Sequence, residues 1–150
     1  MTAEVVRIRS IRRVLKEFLD WRVPTLEPEG LEGYRHALAS FEGSINQHAS
    51  RSLEGVEKRV FKNYYVPGKG YRRRFSEVFG PEKIPAEIHY FLNHSLYRDA
   101  STETLEWAPT VVADLCSWLV WKDYVAEEAV EEVIDGLGVT AVGSENSVNF

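Results

Sequence analysis

Cysteine is almost absent: Cys116 is the single one in 150 residues. No intramolecular disulfide and no multi-cysteine zinc site can be built from it, and a reducing, cytoplasmic compartment is the corresponding expectation. Long apolar runs are missing too. None approaches the roughly 18 residues that a membrane-spanning helix needs, so a soluble chain without a membrane partner is expected. The opening MTAEVVRIRSIRRVLKEF intersperses arginines among its apolar positions, which a secretory signal with its continuous apolar region does not do.

Histidine is scarce, at positions 36, 48, 89 and 94. None has a second histidine or a Glu-x-x-His partner at helical spacing, and the five-residue step from His89 to His94 turns the two about 140° apart on an ideal helix. No metal and no cofactor is expected. There is no Gly-x-Ser-x-Gly elbow for serine chemistry. Cys116 lies in LCSWLVW beside Leu115, Trp118 and Leu119, where a thiol is a core side chain without the electropositive, basic neighbourhood of a nucleophile. The carboxylates from Glu127 to Glu132 read as an exposed helix face, because paired catalytic acids need burial. No catalytic residue is assigned.

What the chain does have is globular composition, 44% apolar and 27% charged residues, at a length suited to one domain. Such a domain buries about 68–70% of its unfolded surface and needs no staple. The net charge of −5 conceals a division: residues 1–75 hold 15 Lys+Arg and 9 Asp+Glu, net +6, while residues 76–150 hold 3 and 14, net −11. Either the halves pack with complementary fields, or a basic binding face opposes an acidic one.

The apolar spacing is helical nearly throughout, and the fold class is all-α, a compact bundle of six or seven short helices. Val5, Ile8, Ile11, Leu15, Phe18 and Leu19 form one stripe over residues 4–22, which Pro24 ends through its restraint on Val23. A second helix runs from about Pro28 to His48 on Leu31, Tyr34, Leu38, Phe41 and Ile45, weakened by Gly30, Gly33 and Gly43 unless close packing needs the missing side chain. A third starts at the cap Ser52, carries Leu53, Val56, Val60 and Tyr64 inward, and stops at Pro67 and Gly68. A short helix over about Tyr71 to Phe79 follows. The next begins at Pro85, carries Ile88, Phe91, Leu92 and Leu96, and ends near Tyr97 or Arg98.

DASTETLEWAPT reads as a loop because Pro109 breaks a helix, and Pro109 then opens the most apolar helix, with Val111, Val112, Leu115, Trp118 and Leu119 inward. Lys122 to Tyr124 make a turn. An acidic helix over about Ala126 to Asp135, with Val130, Val133 and Ile134 inward, stops at Gly136. The single helical domain is thus residues 1–137. Residues 138–150 have no helical period and are expected to be a flexible tail or the cut end of a larger protein, with a short strand at Val139 to Val142 as their sole regular candidate.

VPGKGYRRRF, Val66 to Phe75, carries the most concentrated charge. Gly68-Lys69-Gly70 lacks the earlier glycine and the hydroxyl residue of a Walker loop, and a helix precedes it where a strand is required. On the expected helix Tyr71, Phe75, Val78 and Phe79 face inward and Arg72, Arg73 and Arg74 fan over the solvent side, with Arg73 placed to pair with Glu77 for about 0.2–0.5 kcal/mol. One reading is therefore a solvated helix face. The other is a partner-binding basic face in which Lys58, Arg59 and Lys62 join Lys69 and the three arginines, with Tyr64, Tyr65 and Tyr71 among the charges as in surfaces that stack unpaired bases.

GYRHALASFEGSI, Gly33 to Ile45, and TVVADLCSWLVWKDYV, Thr110 to Val125, resemble two helices of the SAM-like core-binding domain of tyrosine recombinases, the phage integrases. The resemblance implies a helical bundle that clasps DNA beside a separate catalytic domain. The connection between the stretches is longer here, and the arginine, histidine and tyrosine catalytic set has no place in this length. The expectation is a non-enzymatic binding module acting through a macromolecule: a protein partner or self-association, with nucleic acid through the basic half as the further candidate. The alternative is an enzyme whose site gathers His36, His89, His94 and Asp114 from distant positions.

Overall fold

Ser10 starts the first helix: its hydroxyl oxygen accepts the Arg13 amide at 3.2 Å, the arrangement that satisfies an otherwise unpaired first-turn donor. The computed structural model describes residues 9–53, 55–95 and 101–137, with backbone alone at 48–52, 94–95, 134 and 136–137. Helix α1 spans Ile11–Arg22 and buries Ile11, Val14, Leu15 and Phe18. Its start falls later than expected, and Val5 and Ile8 lie outside the described residues. Val23–Thr25 forms one 3-10 turn at Pro24.

Helix α2, Pro28–Ser52, has proline in its first turn and runs past the expected end at His48. Tyr34, Leu38, Phe41 and Ile45 are buried as expected. Helix α3, Gly55–Lys62, follows, so Ser52 closes a helix where it was expected to cap one. Two-residue strands β1, Tyr65–Val66, and β2, Gly70–Tyr71, form an antiparallel hairpin pairing Tyr65 with Tyr71. Helix α4, Phe75–Val78, and a 3-10 turn at Pro81–Lys83 lead into α5, Ile84–Tyr90, which continues as a π-helical turn, Phe91–Ser95. The expected end of that helix at Tyr97 or Arg98 lies outside the described residues.

Helix α6, Thr102–Trp121, corrects the expected loop, for it passes through Pro109. Two forces carry it past a residue that costs about 3 kcal/mol in a helix interior. Ser101 accepts the Thr104 amide at 3.2 Å, and Thr104 and Ala108 are buried on the same side as Val111, Val112 and Leu115. After the expected turn, in which Asp123 takes a φ of 65°, helix α7 covers Glu127–Leu137. It includes Gly136, expected as its stop. Val139 to Val142 lie outside the described residues.

Seven α-helices and one small hairpin are thus present among the described residues, which makes the fold all-α. Helix α2 packs along α6, α4 sits against both α1 and α2, and α7 closes on α5 and α6. The stretches Gly33 to Ile45 and Thr110 to Val125 fall in α2 and in α6 with its following turn. Between α2 and α6 the backbones approach closely: a Cβ added at Gly33 would stand 2.4 Å from the Trp107 ring.

No helix of the described residues is long and apolar enough to cross a membrane.

Candidate macromolecule-binding face

Helix α3 sits on the bundle by one side chain. Phe61 is buried, whereas Val56 and Val60, expected inward, are 64% and 43% exposed. The correction has a simple cause: a phenyl ring removes more apolar area from water than either valine, and it cannot share a helix face with them. Phe61 stacks on Tyr71 with centroids 4.5 Å apart and planes 9° from parallel, and meets Phe75 edge-on at 6.0 Å. The hairpin is held to α3 by this stack, and the Arg72 amide, which donates to the Tyr64 carbonyl at 2.7 Å, extends the strand pairing by one residue.

Its turn needs glycine. Gly68 and Gly70 have φ of 82° and 90°, a left-handed region that residues with a Cβ enter at a cost. Lys69 between them is exposed at the tip, and its amide closes the turn on the Val66 carbonyl at 2.9 Å.

Arg72 and Arg73 therefore form a bend after β2, Arg74 is extended, and none lies on the expected helix; only Phe75–Val78 is helical. Tyr71, expected inward, is 41% exposed. The guanidinium groups of Arg72 and Arg73 lie 5.7 and 5.8 Å from the Tyr64 ring centre, within cation–π range. Tyr64 stands two residues past the end of α3, so these two arginines lie beside the carboxyl end of the helix that carries Lys58, Arg59 and Lys62, all exposed. Arg74 turns toward α2 and lines a cleft.

The expected Arg73–Glu77 ion pair is replaced by another. Glu77 Oε1 accepts the Arg74 amide at 2.8 Å and Oε2 accepts from Arg12 Nη1 at 2.9 Å. The Arg74 amide above all, then Arg12, Arg73 and Arg74 as charges, hold the Glu77 carboxyl below its ordinary range. Arginine has no acceptor to return the cap, and the Glu77 amide goes to the Arg74 carbonyl at 2.9 Å.

Pairing separates the cations of this face from most of those elsewhere among the described residues, Arg13 and Arg35 being the others without an ion pair. Arg12 reaches Glu42 and Glu77, Lys16 reaches Asp20, Arg22 reaches Asp114 and Lys83 reaches Glu57. None of Lys58, Arg59, Lys62, Lys69 or Arg72 to Arg74 is in an ion pair with a carboxylate among the described residues. From Lys58 to Arg74 the chain holds seven Lys+Arg and no Asp or Glu.

Of the residues of the enzyme alternative, His36, His89 and Asp114 each have other partners and form no hydrogen bond or ion pair with one another among the described residues. His36 Nδ1 contacts Glu103 at 2.7 Å, which makes that nitrogen the proton donor, and Nε2 lies 3.6 Å from Glu32. His89 is exposed and its carbonyl accepts from Asn93 at 2.8 Å. The His94 side chain lies outside the described residues. Asp114 Oδ2 accepts from Arg22 Nε at 2.6 Å and from the Tyr34 hydroxyl at 2.8 Å, a part-buried knot joining α1, α2 and α6. Burial opposes the Arg22 charge but Asp114 outweighs it and raises its pKa, while burial and then Asp114 raise that of Tyr34. Among the described residues, no group of three or more His, Cys, Asp or Glu side chains could hold a metal.

Cys116 is fully buried, and burial pushes its thiol from an ordinary value of about 9 up to about 12. The raised value means that the neutral thiol belongs to the folded state: this contribution to stability is complete below about pH 9 and is lost as pH rises toward about 12. Ellman's reagent should leave the native protein unmodified at pH 8 and titrate one thiol after denaturation. Full reaction without unfolding would contradict the placement.

Three residues of the cleft, Gly43, Asn46 and Gln47, carry no signal in the sequence. They face the hairpin from α2, and only the fold brings them there. No family model matches this chain, and neither the curated proteins nor the solved structures contain a match.

Proposed function

We propose that this chain is a non-enzymatic binding module that works through a macromolecular partner, and that the face formed by α3, the hairpin and Arg72 to Arg74 receives an anionic one. One observation carries the reading: among the described residues none of the cations of this face forms an ion pair with a carboxylate, whereas Arg12, Lys16, Arg22 and Lys83 each do. Like charges gathered without counter-charges raise the folding free energy through self-repulsion. An anionic surface from outside removes that repulsion on docking. The net charge of −5 opposes nonspecific binding of polyanions, so a segregated basic face is required for the reading to hold.

Titration with heparin at two salt concentrations tests it. Affinity should fall steeply between about 50 and 200 mM salt, as it does when several anionic groups displace counterions. Arg72→Glu with Arg73→Glu should remove binding while the helical circular dichroism and melting temperature stay near those of the parent. Absence of binding at the lower salt concentration would end the proposal.

A further inference from the structure

We infer that the cleft between α2 and the hairpin is a pocket for one unstacked base of a single-stranded nucleic acid, an assignment that rests on the basic-face reading above. The cleft has a volume of about 540 Å³, within the range of small-molecule sites. One side is aromatic. Phe61 and Tyr71 form the parallel stack and Phe75 meets it edge-on, while Tyr65, beside the cleft and outside its lining, crosses Tyr71 at 5.1 Å. Tyr65 and Tyr71 remain 50% and 41% exposed, a large apolar area to leave in water for two rings already packed on each other.

The other side offers hydrogen-bond donors. Asn46 Oδ1 accepts the Ser76 amide at 2.9 Å, which fixes the carboxamide and leaves its NH2 as the free edge. Gln47 and Arg74 complete the lining, which contains no carboxylate among the described residues. Amide and guanidinium donors beside an aromatic platform match the carbonyl edge of a base, its π-face and its phosphate.

Gly43 supplies an independent observation. It lies inside α2, where glycine is worse than alanine by about 1 kcal/mol, yet a Cβ there would meet nothing within 4 Å. Packing gives no reason for the glycine, in contrast to Gly33. Its lack of a side chain keeps the cleft open.

A duplex keeps its bases stacked and uses only the cations. An acidic peptide likewise uses the cations and has no group for the platform. A single strand uses both, because every base has a π-face to stack and a phosphate to neutralise.

Fluorescence anisotropy with labelled oligothymidylate, a duplex of the same length and polyglutamate decides the matter. The single strand should bind at least about tenfold more tightly than either, with log K falling against log salt by about 0.7 per phosphate engaged. Tyr71→Leu should weaken the single strand by about ten- to a hundredfold and leave polyglutamate unaffected. Gly43→Gln, which places a side chain in the cleft from an exposed helical position, should do the same, while Gly43→Ala should raise the melting temperature and confirm that the site tolerates a side chain. Equal or tighter binding of duplex or polyglutamate, unchanged by either cleft variant, overturns the base pocket and leaves the basic face standing. No binding of any of the three at low salt overturns both.

Discussion

Gly33→Ala should destabilise the fold by about 1–3 kcal/mol, the range for overpacking a well-filled interior. The added methyl would sit 2.4–2.5 Å from three ring atoms of Trp107, closer than carbon atoms can stand, so the ring or the whole of α6 must move. Trp107 meets the Tyr34 ring edge-on at 6.1 Å, and any retreat of the indole disturbs that contact and the core behind it. For a chain of this size each kcal/mol corresponds to roughly 3 °C in melting temperature. A thermal melt followed by circular dichroism is the measurement. Trp107→Leu makes room for the methyl, so the double variant should lose less than the sum of the two single losses. Additive losses would show that Gly33 is not the point of closest approach.

Asp114→Ala should cost about 2–3 kcal/mol. The change leaves the Arg22 guanidinium and the Tyr34 hydroxyl without the carboxylate they share at 2.6 and 2.8 Å. A fully buried pair broken on one side loses about 3–5 kcal/mol; here the Arg22 and Asp114 side chains are 31% and 20% exposed, and water offsets part of that. Asp114→Asn keeps an acceptor for Tyr34 and removes only the charge, and Tyr34→Phe leaves the ion pair whole. Urea denaturation should therefore rank the three variants in that order of severity, with Tyr34→Phe near 1 kcal/mol. The knot also sets an alkaline limit. Because Tyr34 has a raised pKa in the folded state, its contribution is complete below the ordinary tyrosine value of about 10 and declines as pH rises above it.

The helices were legible wherever an apolar stripe and a terminator coincided. In α1 and α2 the spacing of Phe18, Tyr34, Phe41 and Ile45 reports burial directly, and Pro24 and Pro28 mark the junction between them. Cys116 was legible for the same reason: its neighbours in sequence are also its neighbours in the core. Two features were not. Pro109 is a local breaker overridden by tertiary burial of Thr104 and Ala108, a force that acts across the α2–α6 contact and leaves no local trace. The hairpin's strands are two residues each, too short for an alternating pattern, and Tyr71 and Phe75 stand four apart as if on one helix.

The basic face was legible in composition and not in arrangement. Seven cations without an acid are visible in the sequence, but the convergence of Arg72 and Arg73 on Tyr64 depends on a turn at Gly68 and Gly70 that folds β2 back along β1. The cleft behind Arg74 was illegible because its other wall comes from Gly43, Asn46 and Gln47, and nothing in an open helical stretch marks which residues a distant hairpin will cover.

The aromatic residues fall into two optical systems. The four tryptophans lie on one chain of ring contacts: Trp107 to Tyr34, Tyr34 to Phe18, Phe18 to Trp118, and Trp21 to both Trp118 and Trp121. Around the cleft, the rings are tyrosine and phenylalanine alone. Tryptophan emission therefore reports the α1–α2–α6 side of the bundle, from the buried Trp118 to the exposed Trp21 and Trp121, and carries no signal from the rings of the cleft. Melting of the bundle can thus be followed by emission without a label, and a ligand held in the cleft should leave that emission unchanged.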